Sequence, residues 1–202
     1  MRDELIEAIR LNQAAFGLEL LPVKVDRLAD FYDLVQEHNP RLHLVAPCSP
    51  EEFAVRHILE SLTLLKLLAK NAHFADVGAG AGLPSIPCLL VRDDLRATLI
   101  ESKVKKTDFL ETAISELRVK EQTQVANRQF DEVRTDDFSH ITCRALDRFT
   151  ERLPRLLRWS KSKSLVLFGG RALGDALRKN RVRFEQELIP LSERRYLFVF
   201  EN

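Results

Sequence analysis

The chain has 202 residues, 45% of them hydrophobic and 30% charged, with a formal net charge of +1 at pH 7. That length suits one domain with a substantial core; no apolar run approaches the roughly 20 residues needed to cross a bilayer, and the near-neutral balance excludes indiscriminate electrostatic attraction to nucleic acid. Met1-Arg2-Asp3-Glu4-Leu5 has no signal-peptide core, and Cys48, Cys88 and Cys143 form no C-x-x-C pair, so a cytoplasmic protein with reduced thiols and no bound metal is expected.

The first 72 residues read as helical. Leu5, Ile6 and Ile9 mark one amphipathic helix; Val25, Leu28, Ala29 and Tyr32 mark a second, ending at Asn39-Pro40. Ser49-Pro50-Glu51-Glu52 opens a third as a capping box, Ser49 accepting from the backbone and Glu52 reaching back. Phe53, Ile58, Leu59, Leu62, Leu65 and Leu68 supply its buried face, with Arg56 and His57 between them. Beyond the third helix, strand-like runs follow Phe74 and recur at 96–101, 122–126, 139–143 and 164–168, separated by helical stretches such as Lys105 to Leu117. Alternation of this kind implies parallel strands with right-handed crossovers. Arg183 to Leu188 and Tyr196 to Phe200 flank Pro190-Leu191-Ser192-Glu193 and form a closing hairpin. The expected fold is α/β and Rossmann-like, a mostly parallel seven-stranded sheet ending in an antiparallel hairpin. Residues 1–72 form a helical extension to a core at 73–202, within a single domain.

At the first strand, Phe74-Ala75-Asp76-Val77 runs into Gly78-Ala79-Gly80-Ala81-Gly82-Leu83-Pro84. Glycines at a strand-to-helix junction allow positive φ and remove β-carbons that would hold a ligand away from the main chain. Glu101 ends the next strand-like run, where a carboxylate can accept hydrogen bonds from both ribose hydroxyls of a nucleoside. A dinucleotide fingerprint, G-x-G-x-x-G, shares an acid about 20 positions on. Its third glycine would fall on Leu83, and Asp76 sits where a negative group repels a pyrophosphate. The spacing favours S-adenosylmethionine (AdoMet) and leaves an NAD-dependent oxidoreductase as an alternative.

Arg144, Arg148, Arg152, Arg155 and Arg158 recur every three or four positions, which on one helix would align them as a basic stripe. Arg178, Lys179, Arg181, Arg183, Arg194 and Arg195 crowd the C-terminal quarter. For any one arginine a solvated charged face is the plainer reading, but the cluster leans toward phosphate binding.

Arg56-His57-Ile58-Leu59-Glu60-Ser61 resembles the R-H-I-L-[DE]-S helix of the bacterial small-subunit ribosomal RNA guanine-N7 methyltransferases, once called glucose-inhibited division protein B. Asp76 to Pro87 resembles their D-V-G-x-G-x-G-[LF]-P-G-[IL]-P turn, and Glu101-Ser102, Lys105-Lys106, Phe109-Leu110, Asn127-Arg128 and Arg144-Ala145 match later elements. The resemblance implies a class I AdoMet-dependent methyltransferase fold. It also implies methyl transfer to N7 of a guanine in 16S rRNA, free or in the small ribosomal subunit, by a monomer. Carried over, Gly78, Ala79, Gly80, Gly82 and Leu83 line the methionine moiety beside Asp76. Glu101 and Ser102 hold the ribose, Arg128, Gln129 and Phe130 border the adenine, and Arg144 bridges cofactor and target as the catalytic candidate. Arg144, Arg148, Arg195, Asn39, Arg56 and His57 are the RNA-binding candidates.

Several residues depart from the family pattern. Gly169-Gly170 stands in place of Lys-Gly, Cys143 replaces serine, His43 replaces asparagine and Ser139 replaces aspartate. Arg171 is positioned to compensate for the lost lysine, and Pro154 is expected to kink or split the arginine stripe. Pyrimidine C5 methyltransferases attack with a cysteine that usually follows a proline; Thr142 precedes Cys143, so a packed thiol is expected. A ribosome-assembly RNA binder that keeps the fold without activity is the remaining alternative.

Overall fold

The computed structural model describes residues 1–144 and 149–202; Arg148 lies outside the described residues. Strands β1 (His73–Val77), β2 (Arg96–Ile100), β3 (Thr123–Ala126), β4 (His140–Arg144), β5 (Ser164–Gly169), β6 (Glu185–Leu188) and β7 (Tyr196–Glu201) form one sheet ordered β3-β2-β1-β4-β5-β7-β6. Strands β1 to β5 pair in parallel, whereas β7 runs antiparallel between β5 and β6. The closing hairpin thus inserts its second strand next to β5. Strand order reverses between β1 and β4, which opens a crevice at the C-terminal ends of the parallel strands.

The helices are α1 (Arg2–Asn12), α2 (Pro22–Leu42), α3 (residues 50–66), α4 (Ser85–Val91), α5 (Val104–Glu116), α6 (Phe149–Trp159) and α7 (Arg171–Lys179). Alternation along each strand sends its apolar residues to two layers. Phe74, Leu99, Val166 and Phe168 join α1 to α5 in one core, and Ala75, Val77, Leu165 and Leu167 join α6 and α7 in the other. The N-terminal helices therefore share a core with the sheet. Arg27 of α2 reinforces this by donating to the carbonyls of Leu90 (3.3 Å) and Leu117 (3.0 Å) at the ends of α4 and α5, where a cation also meets the negative helix terminus.

Helix α2 continues through Pro40 to Leu42, two residues past the expected stop. A proline in the last turn forfeits only its own N–H bond, and the chain closes when His43 takes the left-handed conformation and donates to the Asn39 carbonyl at 2.9 Å. Histidine tolerates that conformation nearly as well as the asparagine it replaces. At the start of α3 only half of the capping box forms. Ser49 Oγ accepts from the Glu52 N–H at 3.2 Å, while the Glu52 carboxylate turns to Arg56. Helix α3 then widens into a π-helical turn at Ala54–Leu59 and tightens at its end.

Nor do the arginines form a single stripe. Arg144 ends β4, and α6 carries Arg152, Arg155 and Arg158, with Pro154 accommodated inside the helix. Arg155 is spent on an ion pair with Asp131. Gly169 has a packing cause: a β-carbon there would lie 2.5 Å from Leu173 Cδ2 and 3.0 Å from its Cβ. Restoring the family lysine by Gly169→Lys is expected to destabilise the protein by about 1–3 kcal/mol through overpacking. Thermal unfolding checks this, and Gly169→Ala should reproduce most of the loss.

Candidate active site

The glycine turn leaves β1 with Gly78, Gly80 and Gly82 at φ 73°, 52° and 81°. A β-carbon on Gly82 would come within 2.3 Å of Ile86 Cδ1, so at this position glycine is required by both backbone and space. Ala79 and Leu83 are buried in the same turn. The Glu101 carboxylate closes it from the end of β2, accepting from the Gly80 N–H at 3.1 Å and the Lys103 N–H at 2.9 Å. Glu101 is itself only 7% exposed. Its main-chain carbonyl accepts from Asn127 Nδ2 at 3.1 Å, which ties the acid to the loop after β3.

A cleft of about 530 Å³ opens here, lined by Val77, Gly78, Ile100, Glu101, Ser102, Arg128, Gln129 and Phe130. The sequence-derived ribose and adenine residues therefore converge. Gln129 caps the short turn Phe130–Glu132, and its N–H donates to Glu132 at 3.1 Å. Phe130 is fixed edge-on to Trp159, with ring centroids 5.4 Å apart. Lys103, Lys106 and Arg152 also line the cleft and were missed as site residues. Lys103 and Lys106 stand three apart around the start of α5, a spacing that could have signalled them.

Asp76 lies beneath the turn, fully buried. Ser85 Oγ donates to its Oδ2 at 2.6 Å, and its Oδ1 has no hydrogen-bond partner among the described residues. Burial pushes its carboxyl up to about 7, more than the Ser85 bond and Arg144 pull it down. The folded state thus holds the proton more tightly than the unfolded one. This contribution to stability is full below the ordinary carboxyl value of 3.8 and is lost as pH rises from there to about 7. Denaturant melts of ligand-free protein should show wild type losing stability relative to Asp76→Asn across that interval.

Arg144 turns away from the glycine turn toward α3. Its Nη1 donates to Ser61 Oγ at 3.1 Å, its Nη2 donates to the Arg56 carbonyl, and Nη2 lies 3.4 Å from Glu60 Oε2. The guanidinium sits 5.8 Å from the Phe168 ring centroid. Arg195 reaches the same carboxylate, Nε to Glu60 Oε1 at 2.6 Å. Arg144 and Arg195 are therefore brought together by a residue whose importance lay hidden inside a recognised motif.

The other RNA candidates are placed differently. Asn39 spends its amide on Val45, accepting from the N–H at 3.0 Å and donating to the carbonyl at 3.1 Å. Arg56 is exposed but paired with Glu52. His57 is half-buried against Phe53, and burial, followed by Arg144, Arg56 and Arg195, lowers its pKa to about 3. It is neutral near pH 7 and brings no cation to a phosphate. Cys143 is buried, as expected of a packed thiol.

Among solved structures, M. jannaschii TYW2 in complex with AdoMet superposes with a TM-score of 0.52 at 14% identity, covering 71% of this chain and 73% of that one. Sheet order and likeness define a Rossmann-like fold of the AdoMet methyltransferase type. Residues 24–190 match the family described as rRNA small subunit methyltransferase G, and the chain belongs to that family. The protein of that name from Neisseria meningitidis serogroup C is 40% identical over 111 residues, covering 55% of this chain and 54% of the relative. The one from Desulfitobacterium hafniense is 31% identical over 151 residues, covering 75% and 63%. The matched stretch thus spans between half and two thirds of these relatives' length. No helix among the described residues is long and apolar enough to cross a membrane.

Proposed function

We propose that this protein transfers the methyl group of AdoMet to N7 of a guanine in 16S rRNA, acting in the cytoplasm on free rRNA or the small ribosomal subunit. The observation that carries the reading is the bridge from Glu101 to the Gly80 N–H, which unites the glycine turn and a buried acid in one cleft. The residues present fit AdoMet. A carboxylate offers about four acceptor positions; two are used by main-chain N–H groups, leaving two for the ribose hydroxyls. At Gly80, beside Glu101, the turn leaves room around the main chain, with no atom closer than 3.6 Å to where a β-carbon would stand. Gly78 to Leu83 would hold the methionine portion, Glu101 the ribose, and the Arg128-Gln129-Phe130 segment the adenine.

When bound, the sulfonium of AdoMet supplies an already activated methyl donor. Guanine N7 carries an in-plane lone pair and no proton, so the chain needs no general base. Its own residues have to align the base and exclude water. Arg144 retains two of its five N–H groups beyond its bonds to Ser61, Arg56 and Glu60 among the described residues. These suit a purine oxygen or phosphate at the crevice.

The test is incubation of purified protein with methyl-labelled AdoMet and under-modified 16S rRNA or small subunits, followed by nucleoside analysis. Label in 7-methylguanosine is expected. Binding to RNA without label would favour the assembly binder, and calorimetric binding of NAD but not AdoMet would favour the oxidoreductase.

A further inference from the structure

Glu60 is 1% exposed, yet it meets two arginines from distant parts of the chain. A carboxylate taken out of water is tolerated only when paired and hydrogen-bonded. Here Oε2 faces Arg144 at 3.4 Å and Oε1 faces Arg195 at 2.5 Å from Nη2. Both arginines stand at the same end of the sheet, where the parallel strands finish. Arg144 ends β4 and Arg195 immediately precedes β7, and β5 pairs with both strands. Their side chains are 14% and 33% exposed; each long side chain could have reached into water instead.

The π-helical turn at Ala54–Leu59 makes the seat. Such a turn relaxes the regular ladder, and two of its carbonyls are served by side chains: Arg56 by Arg144 and His57 by Ser61 Oγ at 2.5 Å. Ser61 in turn accepts from Arg144. One carboxylate, one hydroxyl and one carbonyl thus fix the plane of the Arg144 guanidinium, and the same carboxylate orients Arg195. The three side chains together carry one net positive charge.

We propose that Glu60 is a positioning residue, a buried anion that holds Arg144 and Arg195 as an oriented pair facing the RNA target. The proposal rests on the reading of the protein as an RNA methyltransferase. Arginines so held can align a base without first losing side-chain entropy. Released, they would still attract phosphate, but in no fixed orientation.

Glu60→Gln keeps the shape and removes the charge. It is expected to lower kcat for RNA methylation by about tenfold or more, while the Kd values for RNA and AdoMet stay within about threefold of wild type. Glu60→Asp, which restores the anion, is expected to recover most of kcat. The second readout needs neither RNA nor a variant: in wild-type protein the protons that face Glu60, Nη2–H of Arg144 and Nε–H of Arg195, should exchange with water more slowly than the corresponding protons of exposed Arg158. Exchange as fast as Arg158 overturns the proposal, even if Glu60→Gln fails to fold. It is also overturned by an unchanged kcat in folded Glu60→Gln, or by a parallel collapse of AdoMet affinity, which marks a general structural role. A wild-type protein that methylates no RNA would defeat the functional reading, and slow arginine exchange in that sample would show that Glu60 still orients the two arginines, so that the reading and not the positioning had failed.

Discussion

Replacing Glu101 by alanine is expected to weaken AdoMet binding by roughly 100-fold or more, read by calorimetry. Each hydrogen bond to a charged acceptor contributes about 1.5–3 kcal/mol, so losing two costs at least about 3 kcal/mol, or two decades in Kd. The substitution also frees the Gly80 and Lys103 N–H groups that the carboxylate holds, so the turn loses its closure along with the ribose contact. Glu101→Gln separates the two effects. It keeps an acceptor for the loop but loses the charge, and is expected to fall between wild type and Glu101→Ala. Affinity unchanged in Glu101→Ala would remove this residue from the cofactor site.

Arg144→Ala is expected to act on turnover, lowering kcat by about 100-fold or more in single-turnover methylation of rRNA. Where no proton transfer assists the reaction, alignment carries most of the catalytic effect, and displacement by about 1 Å can cost that much. Arg144 is well placed for this, anchored through Ser61, Arg56 and Glu60 at the end of β4. Its removal leaves Glu60 with Arg195 alone among these partners, so a loss of stability of about 3 kcal/mol or more is expected beside the kinetic loss. Arg144→Lys is the control. A lysine returns the charge without the planar fork and is expected to recover stability better than turnover. Methylation within threefold of wild type in Arg144→Ala would mean that another group orients the target.

The glycine turn and Glu101 were legible because their requirements are local: positive φ, bare main chain and an acid at the next strand end. The strands could likewise be read from short runs between turn residues, since central strands covered on both faces are apolar nearly throughout, while β6, exposed along its length, was legible only as the partner in the closing hairpin. The Glu60 cluster was not legible in this way. Its partners lie 84 and 135 residues away, and only the sheet, by setting β7 beside β5, brings them to one end of it. The regular arginine spacing misled because it ran from a strand end into a helix, where a period of three or four no longer means a shared face. Gly169 read as a lost cation, whereas the packed Leu173 side chain explains it. His57 came from a motif and Asn39 was named beside it as an RNA-binding candidate; neither the burial of the ring nor the bonds of Asn39 to Val45 could be read from the sequence.

A crystal structure with S-adenosylhomocysteine, the product left after methyl transfer, would interrogate the cleft directly. The expected density has the amino-acid end over Gly78 to Gly82, both ribose hydroxyls on Glu101, and adenine beside Gln129. Density elsewhere with Glu101 still closed on Gly80, or a cleft that accepts NAD and refuses the homocysteine nucleoside, would contradict it.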